Sequence, residues 1–211
     1  QRDEQVGWNF LTLSGATLAD NLTATLEIYR DILLEPHLDD EFFEPVLIGV
    51  EQSLLAQEDD LQRKSFVELR KRCYDMPWGR PTDGTLEELE SISAAAIRSH
   101  FRQCVVPQGA ILGIAGNVSA AKVFEQIRGL LGAWQGQAPP IPKAVPALGG
   151  ALHIPHESTQ THIAIAYPAV ATSHPEYYAA WAASSILGGG SSSRLFTEVR
   201  ENRGLVYTVY A

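Results

Sequence analysis

The chain has 211 residues, 45% hydrophobic and 19% charged, the balance of a globular protein rather than a disordered or fibrous one. Sixteen Lys and Arg against 25 Asp and Glu leave a net charge of -9, which argues against nucleic acid as the main partner. The longest apolar runs, Ala110–Ala115 and Ile163–Ala171, are strand-sized, well short of the roughly 18 residues needed to span a bilayer.

Cys73 and Cys104 supply neither a disulfide framework nor a metal spacing. The chain opens at Gln1 with no initiator Met and no basic-plus-apolar leader, and is strand-like six residues later. That reads as a piece of a longer, soluble polypeptide, and it leaves cytoplasm and periplasm both open.

Val6–Leu13 is rich in strand formers and reads as a mostly buried strand. Thr17, with Asp20 three residues on, reads as a capping box opening a helix to Leu34. Leu18, Leu22, Leu26, Tyr29 and Leu33 mark its buried face. A second helix is expected from Asp39 or Asp40 to Asp60, with Pro45 confined to its early turns. Its apolar stripe is Phe42, Phe43, Val46, Leu47, Val50, Leu54 and Leu55. From Asp31 to Gln62 there are ten acidic residues and no Lys or Arg, which suits a solvated face or a basic partner.

Pro77–Gly84 is a turn-rich loop, Thr85 with Glu88 caps a short helix, and Ser93–Cys104 is a further helix. Ala110–Ala115 reads as a strand and Ser119–Trp134 as an amphipathic helix. Gly136–Gly150, with four prolines and three glycines, has the composition of a linker. Beyond it, Ala151–Ile154 and Thr161–Tyr167 read as a strand pair. His174–Leu187 and Ser192–Asn202 are helices around the Gly188–Gly190 break, and Leu205–Ala211 is a strand. The sum is an α+β fold, a largely antiparallel sheet with helices packed on one face.

Three features invite a chemical reading. His153, His156, Glu157 and His162 contain good zinc ligands, but Pro155 and the strand-like alternation send residues 153 and 156 to opposite faces. Gly188–Arg194 lacks the phosphate-loop pattern and follows a helix, so it reads as a hinge or contact loop. Glu51 and Glu58 lie seven apart, two helical turns, so both carboxylates project from one side of the second helix.

Ser191–Ala211 (SSSRLFTEVRENRGLVYTVYA) closely resembles a signature of the pitrilysin/insulinase family of inverzincin metallopeptidases, which includes the mitochondrial processing peptidases. Leu22–Pro36 resembles the family helix after the first strands, and Ala110–Val118 the strand closing the first α/β repeat. The resemblance implies most of a first repeat over residues 1–135, a linker at 136–150, and the opening of a second repeat over 151–211. It implies zinc held by an HxxEH helix and a downstream Glu, with the motif's own Glu as general base. HxxEH is absent from the chain and would fall ahead of Gln1. Glu58 takes the position of the downstream ligand, and Glu51 that of its supporting carboxylate. Arg200 and Tyr207 match the family's Arg/Tyr pair, which reaches the substrate across the cavity.

The implied protein is a zinc metalloendopeptidase that encloses peptides or unfolded protein in a chamber between repeats. This chain would be catalytically incomplete within it and would bind no zinc by itself. Two alternatives stand beside that reading: a non-catalytic subunit that presents Arg200 and Tyr207 to an active partner, and a purely structural assembly subunit.

Overall fold

The computed structural model describes residues 2–145 and 149–211. By its own contacts the chain forms two compact units, Gln1–Ala164 and Ile165–Ala211. Mixed helical and strand character is borne out, but the sheet is small. Instead of one strand over Val6–Leu13, the chain reverses inside that run. β1 (Arg2–Val6) and β2 (Leu11–Gly15) pair antiparallel, with Val6 opposite Leu11 and Arg2 opposite Gly15. The Gly7 amide donates to the Phe10 carbonyl at 2.8 Å and closes the turn. Val6, Phe10 and Leu11 are exposed rather than buried.

The other expected strands, Ala110–Ala115, Ala151–Ile154, Thr161–Tyr167 and Leu205–Ala211, form no ladder among the described residues. A strand is defined by its neighbour: without a paired backbone, β-forming side chains give only an extended segment. Ile111 and Ile163 accordingly remain 88% and 80% exposed.

The helices follow the sequence more closely because their hydrogen bonds are local. α1 (Leu22–Leu34) starts later than the expected capping box, after a 3-10 turn at Ala19–Asn21, and Leu26 is its buried residue. Neither Thr17 nor Asp20 caps it: Leu18 and Asn21 occupy the cap positions without a side-chain bond. α2 (Phe43–Glu58) follows a 3-10 turn at Asp40–Phe42, with Pro45 in its first turn as expected. Of its expected apolar stripe Leu54 is buried, whereas Phe42, Val46 and Leu55 are exposed.

α3 (Leu61–Cys73) was not expected from the sequence. Its signals are local: the Asp60 carboxylate accepts the Arg63 amide at 2.9 Å, and Arg70, Lys71 and Arg72 occupy the last turn, where cations oppose the helix dipole. α4 (Leu86–Leu89) carries the expected cap, Thr85 accepting the Glu88 amide, and α5 (Ala94–Cys104) is capped by Ser93, which accepts the Ala96 amide. α6 (Ala120–Leu131) packs on α1, where Gln126 Nε2 donates to Thr23 Oγ1 at 2.9 Å. α2 packs on α3 and α4.

Arg70, near the end of α3, ties distant parts of the first unit together. Its guanidinium lies 3.5 Å from the Trp8 ring centroid and 5.0 Å from that of Tyr74, and its Nε donates to the Trp78 carbonyl at 2.9 Å. The proline-rich segment is fastened to the same region. Trp78 Nε1 donates to the Pro142 carbonyl at 2.9 Å, the Asp75 amide to Val145 at 3.1 Å, and an Arg72 guanidinium nitrogen to Gly149 at 3.1 Å. Residues 146–148 of the expected linker lie outside the described residues.

Replacing Arg70 by Ala removes a cation–π stack and a charged hydrogen bond together, a loss of about 1–2 kcal/mol. Urea unfolding should show that loss. Arg70→Lys should recover less than half of it, because an ammonium cannot stack flat and donate sideways at once. An unchanged midpoint for Arg70→Ala would remove Arg70 as a tie between these segments.

Candidate functional site

The second unit is built around a glycine corner. α7 (Tyr177–Gly188) ends there because Gly188–Gly190 offers no side chain to continue an apolar face. Gly188 is buried against the last residues of the chain: the Ala211 amide donates to its carbonyl at 3.2 Å. A Cβ at Gly188 would sit 2.2 Å from the Ala211 nitrogen and 2.7 Å from the Ala211 Cβ, so only glycine fits. A cavity of about 330 Å³ opens beside this contact, lined by Gly189, Gly190, Phe196, Thr208 and Tyr210 among others.

Ser193, 5% exposed, turns the chain out of the corner. Its amide donates to the Gly190 carbonyl at 3.0 Å, and its hydroxyl accepts the Phe196 amide at 3.4 Å. The expected helix over Ser192–Asn202 then forms in a widened version. Phe196–Glu201 is a π-helical turn, in which the Asn202 amide reaches back five residues to Thr197 at 2.9 Å. Gly204, at φ +61°, closes it in the left-handed region, its amide donating to Arg200 and that of Leu205 to Val199.

This geometry gathers three groups around Arg200. The guanidinium lies 4.8 Å from the Phe196 ring centroid and 5.7 Å from that of Tyr207, both within cation–π range. Its Nη1 donates to Glu201 Oε1 at 2.9 Å. Tyr207 is 84% exposed, so its phenol faces open space. The Arg200 and Tyr207 singled out from the sequence are therefore brought together. Phe196 and Glu201 were missed, although Phe196 stands one turn before Arg200 and Glu201 directly after it. Gly188 was noted as a helix breaker, but not as the point of backbone contact.

The acidic candidates belong to the first unit. Glu51 and Glu58 both lie on α2, and the Glu58 carboxylate is already paired with the Lys64 ammonium at the start of α3. Among the described residues no group of three or more His, Cys, Asp or Glu converges as a metal site. His153, His156, Glu157 and His162 are all exposed, and the one contact recorded within that set is local, between His156 Nδ1 and the Glu157 carbonyl at 3.2 Å. Among the described residues, no helix is long and apolar enough to cross a membrane.

The sequence of residues 91–211, which includes this corner, π-turn and Arg/Tyr pair, matches one peptidase family. The profile described as peptidase M16 inactive domain covers residues 91–211, and the chain belongs to that pitrilysin/insulinase family. It is 36% identical over 186 residues to an uncharacterized zinc protease of Streptomyces coelicolor, covering 75% of this chain and 40% of that protein. It is 28% identical over 200 residues to one of Bacillus subtilis, covering 92% and 48%.

Among solved structures, the peptidase M16 inactive domain from Pseudomonas fluorescens matches with a TM-score of 0.79 at 20% identity, covering 100% of this chain and 52% of that one. A protease from Helicobacter pylori matches at 0.71 and 18% identity, covering 92% and 49%. These two likenesses establish the fold. The chain spans about half the length of the relatives it matches.

Gly188→Ala should lower stability by roughly 1–3 kcal/mol, the range for forcing extra volume into a closed contact. Gly190→Ala, whose added Cβ meets nothing within 4 Å, is the control and should stay within about 0.5 kcal/mol. Equal thermal unfolding of the two variants would show that the Gly188–Ala211 contact does not hold the corner.

Proposed function

We propose that this chain holds extended peptides through Arg200 and Tyr207, as the substrate-binding part of a peptidase whose complete chamber includes further repeats. The observation that carries the reading is the pairing itself. A guanidinium near two rings keeps N–H groups beyond the one given to Glu201, and the exposed Tyr207, its ring centroid 5.7 Å away, carries a phenol as a second donor. Together they suit the carbonyl oxygens of a peptide in strand conformation. Fixed donors also favour an acceptor whose negative charge grows during acyl transfer. The sheet that would receive such a strand, with helices on one face, is proposed on the same footing, as is the two-repeat division around residues 136–150.

The described residues do not assemble a zinc centre, so no hydrolytic step is derived from this chain. We assign to Glu58 one carboxylate that completes a centre whose other ligands lie elsewhere, with Glu51 as its support. Lys64 must then release Glu58, which gives the assignment a test. In zinc titrations of the full-length protein followed by calorimetry, Lys64→Met should bind more tightly than wild type, and Glu58→Gln should bind at least about tenfold more weakly. Equal binding by Glu58→Gln and wild type would withdraw Glu58 from this role. The reading as a binding-only subunit uses the same pair and is told apart by activity of the full-length protein.

Fluorescence anisotropy with a labelled, unstructured hexapeptide tests the peptide-holding role. Arg200→Ala should weaken binding about tenfold or more, and Tyr207→Phe about three- to tenfold, as expected for a charged and a neutral hydrogen bond. Binding unchanged in both variants would sink the assignment and favour a purely structural subunit.

A further inference from the structure

Arg200 already has a carboxylate partner in the free chain. Its Nη1 donates to Glu201 Oε1 at 2.9 Å, while the rings of Phe196 and Tyr207 lie within cation–π range of the same guanidinium. Rings attract the faces of a guanidinium and leave its edge, where five N–H groups point outward in one plane. A carboxylate fills such an edge with two parallel bonds, whereas a single carbonyl fills half of it. Acceptors for a guanidinium therefore lie along its edge, and the residue next in the chain supplies one. Side-chain exposures of 36% for Arg200 and 57% for Glu201 leave that pair open to exchange with a solute.

We propose that Glu201 is a built-in stand-in for a peptide carboxylate, displaced when that carboxylate arrives, so that the Arg200–Tyr207 site selects peptides carrying a carboxylate. This deepens the peptide-holding assignment and rests on it. The exchange is one carboxylate for another at the same guanidinium, so little electrostatic energy changes hands. Selectivity comes from the second bond that a carboxylate makes and a carbonyl does not, while the displaced Glu201 repels the newcomer and weakens its binding. The net charge of -9 opposes an anionic ligand at long range. At 0.15 M salt that field fades over about 8 Å, which leaves the local cation in control.

The carboxylate could be a peptide C-terminus or an Asp or Glu side chain, and four labelled hexapeptides separate these sources. They carry one Glu or Gln and end in a free acid or an amide, and each is titrated by anisotropy against the 211-residue chain. Removing the carboxylate that the site uses should weaken binding about three- to tenfold, and removing the other should not. Glu201→Gln should tighten the carboxylate peptides about two- to fivefold and leave the doubly neutral peptide within twofold, the scale of an exposed ion pair. Glu201→Asp, with its charge kept on a shorter arm, should fall between wild type and Glu201→Gln.

Arg200→Ala separates the two levels of the argument. If it leaves all four affinities unchanged, the peptide-holding assignment itself fails. If it weakens binding but Glu201→Gln shifts all four peptides equally or not at all, the stand-in role of Glu201 is overturned and the binding site stands.

Discussion

The approach of Gly188 to Ala211 is the constraint on which the second unit depends. Two backbones meet there with no side chain between them, and one hydrogen bond of 3.2 Å joins the end of α7 to the last residue of the chain. Because that contact fixes the segment holding Tyr207, the ring can lie near the Arg200 guanidinium on the π-turn that follows the glycine corner. The π-turn contributes the other half of the geometry. Its wider winding and the Gly204 closure set Arg200 beside Phe196 and point it toward the returning chain. Substrate recognition in this reading is therefore a property of backbone geometry first and of side-chain chemistry second.

The first unit is held in a different way. Leu26, Leu54 and Val106 are its buried apolar residues among those described, so burial of side chains contributes little of its cohesion. Polar ties stand in: Arg70 between the hairpin and the Pro77 loop, Arg98 donating to the Leu38 carbonyl and to Asp40, Arg63 paired with Asp83, and Arg80 with Glu88. Exposed ion pairs of this kind contribute roughly 0–1 kcal/mol each, so they steer the arrangement more than they stabilise it. Ile111, Ile163 and their neighbours have the alternation of buried strands without the burial. An apolar surface of that extent is ordinarily covered by another polypeptide.

What the sequence made legible follows from the range of the forces involved. Helix caps act within three residues: the Thr85 cap formed where the residue types pointed, and the helix read from Ser93 starts there with Ser93 as its cap. Pro45 located the start of α2 through its missing N–H, another local effect. Strands require partners distant in sequence. For that reason Val6–Leu13 was misjudged as one strand, and four further extended runs have no ladder among the described residues. α3 escaped notice because its mean composition is polar; its evidence lay in the Asp60 cap and the basic last turn rather than in an apolar stripe. The Arg200–Tyr207 pair was legible only through resemblance to a family signature. Seven residues across a π-turn and a glycine have no fixed separation until the backbone is known.

The charge distribution adds one more step. Acidic residues crowd Asp31–Gln62, yet the group proposed for recognition is a cation in the other unit, with its own carboxylate attached. A free guanidinium on an acidic protein would recruit whatever carboxylate came within reach, including those of neighbouring copies. A carboxylate one residue away meets that demand locally and cheaply, since it is never more than a side-chain rotation distant. The same adjacency keeps Arg200 oriented between the rings in the absence of ligand, so less rotamer freedom remains to be lost on binding. In this reading Glu201 weakens the binding of any carboxylate that must displace it and lowers the ordering cost of those that do, and the balance between those two effects sets how tightly the site binds.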